Sequence, residues 1–168
     1  MNDTKNLVLI ALLTSILFLQ EQLLSFLPNV QLTVFLFVLY SKKLGFATTS
    51  MIGLIYVLLD VITMGSSSFL FMPFMLIGWL IIPLLLNTVF KKVESYIILS
   101  LLGILFAFIY SFINIIPGMI MFDLDFITYL KGDIVYELIL ASSSFITILL
   151  LYKPCSKVFD RYIKREIS

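Results

Sequence analysis

The sequence predicts an all-α integral membrane protein of six transmembrane helices with both termini in the cytoplasm. Three observations lead there. Of 168 residues, 61% are hydrophobic and only 12% charged, whereas a soluble domain carries about 25% charged residues. The apolar residues come in long runs rather than with the period of an amphipathic strand or helix, which suits helices that are apolar all round, as in lipid. When these runs are threaded through a bilayer, ten of the eleven basic residues fall on one side.

A spanning helix needs roughly 20 residues. The first run, 7–27, meets that length and ends at Pro28-Asn29. It reads as a retained span rather than a cleaved leader. Its start holds one Lys and one Asp, and no small-x-small site precedes Gln20-Glu21-Gln22. The second run, 30–41, is short and stops at Lys42-Lys43. The third, 46–63, precedes a turn at Met64-Gly65-Ser66-Ser67-Ser68. The fourth, 69–90, stops at Lys91-Lys92. The fifth, 96–116, is expected to break at Pro117-Gly118. A loop bearing Asp123 and Asp125, read as solvated, leads to the sixth, 129–151. A basic tail, 152–168, follows. Residues 1–168 form one transmembrane domain, without an internal repeat or low-complexity tract.

The basic residues orient these runs. Six spans put Lys5, Lys42, Lys43, Lys91, Lys92, Lys153, Lys157, Arg161, Lys164 and Arg165 on the cytoplasmic side and leave only Lys131 outside. If 30–41 merely dips into the membrane, Lys5 changes sides. The charge rule therefore orients the last four helices firmly and separates six spans from five only weakly.

Ionisable groups are costly in lipid and mark function by default. With the orientation above, Gln20, Glu21, Gln22, Asn29, Gln31, Asp60, Tyr110, Asn114, Tyr129, Asp133, Tyr136 and Glu137 all lie in the outer half. Trp79 is midway along its helix, and Asn87 lies near the inner end. The inner half is otherwise aliphatic, aromatic or small. This asymmetry points to a polar pocket open to the outside above an apolar plug. A channel would be polar through its whole depth. A proton-coupled carrier would usually place an ionisable relay near the midplane.

Tyr110 and Asn114 share a helix face, as do Tyr129, Asp133 and either Tyr136 or Glu137. Asp133 and Glu137 would repel each other unless a cation or a shared proton sits between them. The excess of acid and the rings of Trp79, Tyr110 and Tyr136 favour a cationic or donor-rich heterocycle as ligand. The candidate substrate-binding residues are thus Gln31, Asp60, Trp79, Tyr110, Asn114, Asp133, Tyr136 and Glu137. Plainer roles stand beside these. Tyr96 and Tyr129 suit interfacial anchors, Asp60 suits a cap on the Gly65–Ser68 turn, and Gln20 to Gln22 suit the emergence of the first helix from lipid. Ala11 and Ser15, four apart, form a small-residue face for close helix packing.

With Cys155 as its one cysteine and no histidine, the chain builds no disulfide framework, Cys/His metal site or His-based triad. Cys155 reads as an unpaired small residue beside the basic tail. An intramembrane enzyme would need a Ser–Lys or paired-Asp site. Lys131 has no Ser nearby in the membrane, and Asp60 would have to meet Asp133 across helices. No enzyme activity, cofactor, metal or nucleic-acid partner is expected.

The chain resembles the substrate-binding S component of energy-coupling factor (ECF) vitamin transporters. The resemblance covers nearly the whole length. It rests on six helices with both ends inside, the turn Pro28-Asn29-Val30-Gln31-Leu32-Thr33, the stretch from Asp60 to Gly65, and Phe71-Met72-Pro73-Phe74 running into Gly78-Trp79. The family's Ala-x-x-x-Ala coupling motif reads Ala11-Leu-Leu-Thr-Ser15 here, with Ser for the second Ala. The resemblance implies a high-affinity capture subunit in a prokaryotic plasma membrane. It would hold a vitamin-like substrate in an outer-half pocket formed by helices four to six and the loop between the first two helices, and meet a membrane coupling subunit through Ala11 and Ser15. Two separate ATPase subunits would supply energy, since this chain lacks the Gly-x-x-x-x-Gly-Lys phosphate loop. A different class, an MreD-like membrane scaffold of cell-wall assembly, fits the hydropathy and charge equally well. It leaves the outer polar groups without a task.

Overall fold

A computed structural model describes residues 3–64 and 69–167. Every regular element among them is a helix: α1 Asp3–Leu24, α2 Thr33–Met64, α3 Met72–Asn87, α4 Tyr96–Phe122 and α5 Phe126–Ile167. Four are long and apolar enough to cross a membrane, and α3 is a shorter apolar helix. The chain is an α-helical membrane protein.

Helix α2 reverses direction within its length. At Gly45 the backbone takes φ 80° and ψ −178°, a combination open essentially to glycine alone. In a straight helix Phe37 and Gly53 would lie about 24 Å apart. A Cβ on Gly53 would instead sit 3.0 Å from Phe37 Cε1, and the rings of Phe37 and Tyr56 are 6.2 Å apart. So α2 is a helical hairpin. Its first arm, 33–44, spans only about 18 Å, and residues 33–41 are buried on every side. The sequence's runs 30–41 and 46–63 are these two arms. The first is short because other helices surround it instead of lipid.

Neighbouring segments alternate in direction. Gln20 bonds Thr33 while Tyr40 bonds the Leu13 carbonyl, so α1 and the first arm are antiparallel. Tyr110 of α4 packs over Gly78 of α3. On α4 and α5, Gly103 faces Ser144 while Gly118 faces Tyr129. Basic groups gather at one end. Lys43 pairs with Asp160 at 2.7 Å, Lys153 lies over the Tyr96 ring at 4.1 Å, and the Lys42 ammonium donates to the carbonyls of Phe90 and Lys91 at 2.8 and 3.2 Å, past the end of α3. Glu21, Asp60, Asp133 and Glu137 lie toward the other end, while Asp160 stays with the basic residues.

Several helix limits differ from the sequence expectation. Pro117-Gly118 does not stop α4, which runs to Phe122. A proline in a membrane helix frees one carbonyl, and neighbouring groups can satisfy it; Pro117 is buried against the bundle. Within α3, Asn87 likewise donates to the Pro83 carbonyl at 2.8 Å. Helix α3 is shorter at both ends than 69–90, and α1 stops at Leu24 rather than Leu27. Asp125 is not merely solvated. Its carboxylate accepts from the Ile127 and Thr128 amides at 3.0 and 3.1 Å and starts α5 three residues early, as an N-cap does. These bonds, led by that from the Thr128 hydroxyl, hold its pKa below the usual carboxylate value. At the far end the basic tail continues as helix to Ile167, through Pro154. The expected turn at Gly65–Ser68 lies outside the described residues.

Candidate functional site

Each helix buries a stripe at spacings of three and four, and near the acidic end most stripes turn polar. On α1 the stripe runs Leu13, Leu17, Gln20. On the second arm of α2 it runs Ile52, Tyr56, Asp60. On α4 it reaches Ser111, and on α5 it runs from Ile148 and Ser144 through Ala141 and Leu140 to Glu137. The polar residues are therefore brought inward by helical period.

At the centre is an aromatic stack. Trp79, 1% exposed, lies parallel to Phe37 with ring centres 5.1 Å apart and 4.0 Å from the ring of Tyr110 on its other side. Tyr56 meets it edge-on. The expected aromatic ligand platform of Trp79 and Tyr110 is occupied by the protein's own rings.

Beside the stack is an acidic pair. Tyr56 donates its hydroxyl to Glu21 at 2.5 Å, and Glu21 lies within electrostatic reach of Asp60. Asp60 is 0% exposed, and neither carboxylate oxygen has a hydrogen-bond partner. Its main-chain carbonyl accepts from Thr63. Glu21 and Thr63 line a cavity of about 330 Å³ with Gln22, Ser25, Asn29 and Gln31. Among the described residues, no Lys or Arg lines it.

The α1–α2 loop forms one wall of that cavity and is tied down at three places. Gln20, 8% exposed, donates to Thr33 and accepts from the Leu32 amide, both at 2.8 Å. Gln31 exchanges main-chain bonds with the Ser143 hydroxyl and accepts from Thr33 through its side chain. Asn29, at φ 57°, donates to the Tyr136 carbonyl. Gln20 is thus a structural pin and does more than mark the exit of α1 from lipid.

The other predicted residues form a second group between α4 and α5. Asp133, Tyr129 and Tyr136 line a smaller cavity of about 240 Å³. Glu137, 2% exposed, has no partner for either oxygen and lies within electrostatic reach of Asp133. The α4–α5 register, with Gly103 facing Ser144 and Gly118 facing Tyr129, puts Glu137 level with Tyr110 and Asp133 level with Asn114. Asn114 donates to the Tyr110 carbonyl, and its own side-chain oxygen is buried without a partner. The eight predicted residues thus divide between two neighbouring places.

Two members of the first place, Glu21 and Tyr56, were absent from the predicted site. The signal for them was present: Tyr56 and Asp60 are four apart, and Glu21 follows the Leu13-Leu17-Gln20 stripe. Ala11 and Ser15 are exposed on the outer face of α1, where Ser15 returns its hydroxyl proton to the Ala11 carbonyl. No family model, curated protein or solved structure matches the chain.

Proposed function

We propose that this chain is the substrate-capture subunit of an ECF-type importer in a prokaryotic plasma membrane, taking up a vitamin-like micronutrient. On this reading the hairpin arms count as separate spans, giving six, with both termini cytoplasmic. The observation that carries it is the acidic, polar cavity at one end of a bundle whose core is otherwise mainly hydrophobic, with isolated Ser and Thr hydroxyls. Such a cavity can accept a solute from one side while the apolar core blocks passage to the other. A membrane scaffold has no use for two buried, unpartnered carboxylates, which are costly to keep.

Energy comes from a separate coupling subunit and two ATPases. The exposed small-residue face at Ala11 and Ser15 suits close packing by another membrane helix. Affinity purification from native membranes tests the assembly. Two ATPases and one further membrane subunit are expected to co-purify, and Ala11→Leu is expected to remove them while leaving the chain folded. Co-purification of cell-wall synthesis proteins instead would overturn the proposal. Mass spectrometry of the purified chain identifies the captured molecule.

A further inference from the structure

We infer that the captured ligand is an organic cation whose positive charge is held by Glu21 on the wall of the α1–α2 loop cavity and reinforced by Asp60, buried next to that wall. This rests on the capture reading above and narrows its substrate to one chemical class. Tyr56, which bonds Glu21, and Asp60 are four apart on one helix face, Thr63 of the cavity lining bonds the Asp60 carbonyl, and none of the described residues of the lining is basic. Tyr56 answers one Glu21 oxygen. Both oxygens of the fully buried Asp60 remain unanswered. An enclosed acid without a donor, as Asp60 is, is costly, and a cation held at Glu21 beside it offsets that cost and favours the charged form of both carboxyls.

A metal ion fits poorly. Among the described residues no group of three or more acidic, cysteine or histidine side chains could hold one. An ammonium or amidinium instead needs two carboxylates and a few neutral acceptors, which Asn29, Gln31 and Thr63 provide along the lining. Ligand sites begin at about 300 Å³, so the cavity of about 330 Å³ takes a compact molecule of one or two rings. Glu137 and Asp133 belong to the neighbouring α4–α5 group and are not needed to hold this charge.

The chain contains one tryptophan. Trp79 meets Tyr56 edge-on, and Tyr56 is bonded to Glu21, so its fluorescence reports on events at Glu21. Full-length protein in lipid nanodiscs is titrated with benzylammonium, benzyl alcohol and benzoate, with Trp79 emission and thermal shift as readouts. Benzylammonium is expected to bind at least about tenfold more tightly than its neutral and anionic analogues. Glu21→Gln and Asp60→Asn should each weaken it by at least about tenfold.

Equal binding of the three probes, tighter binding of benzoate, or no response to benzylammonium overturns the inference. So does unchanged benzylammonium affinity in both variants, which would mean that the two acids are buried as neutral carboxyls. If Asp60→Asn fails to fold, Glu21→Gln decides alone. The capture reading stands or falls separately, on the co-purifying ATPases.

Discussion

Gly78 is what allows the aromatic stack to close. A Cβ there would lie 2.8 Å from Tyr110 Cδ2 and 3.6 Å from Tyr110 Cα. The ring has backbone close behind it and little room to retreat from Trp79. Gly78→Ala is therefore expected to destabilise the protein by about 1–3 kcal/mol and to red-shift Trp79 emission as the stack loosens. Gly132 is the control. Nothing lies within 4 Å of a Cβ at that position, so Gly132→Ala gains helix propensity, worth up to about 1 kcal/mol, and leaves the emission unchanged. Thermal unfolding and emission spectra of both variants check the pair. The positions of Trp79, Asp60 and Glu137 were legible in the sequence because depth and helical period place them. The closeness of Tyr110 to Trp79 was not, since it depends on which helix faces which. Glu21 was passed over for the same reason. It looked like the end of a span until Tyr56, on another helix, proved to bond it.

The hairpin of α2 depends on one backbone conformation. At φ 80° and ψ −178°, Gly45 stands where a side chain costs about 1–3 kcal/mol. A Cβ there meets only Asn87, at 4.0 Å, so space is not the constraint and the cost of Gly45→Ala is conformational. The expected outcome is a loss of about 1–3 kcal/mol in unfolding free energy with little change in helical circular dichroism, because both arms persist as helices. Unchanged stability would mean that the reversal does not depend on glycine. The basic pair Lys42-Lys43 marked this reversal in the sequence, and both arms were recognisable as apolar runs. Helix ends were less legible. Pro117 looked like a stop because its effect in water is to break helices, whereas burial against α5 carries α4 onward. Asp125 looked like loop because a cap is visible only once the amides of Ile127 and Thr128 point at it. The continuation of α5 through Pro154 had no sequence signal beyond the basic residues themselves.

Across the bundle, most basic residues gather at one end and the buried acids at the other, and this sorting makes the orientation testable. Lys42, Lys43 and Lys153 all have partners at one end, while Glu21, Asp60, Asp133 and Glu137 lie toward the other. Basic segments resist translocation across the membrane, so the Lys-rich end is expected to face the cytoplasm and the loop cavity the outside. The lone cysteine offers a clean background. In a Cys155→Ser chain, Ser25→Cys puts an exposed thiol at the rim of the cavity, and Lys157→Cys puts one on the exposed face of α5 beyond the basic end. A membrane-impermeant maleimide added to intact spheroplasts should label the thiol at position 25 and reach the thiol at 157 only after lysis. Labelling of both thiols before lysis, or of the second alone, would contradict a cavity that opens outward. The same experiment bears on the short first arm of α2. The odd number of crossings between residues 25 and 157 depends on that arm counting as a span, so the expected pattern requires both the charge sorting and the reversal at Gly45 to determine the topology together. Were the arm only to dip, the last four helices would keep their orientation and position 25 would move to the cytoplasmic side. Protection of the thiol at 25 until lysis is therefore the result that would reduce six crossings to five.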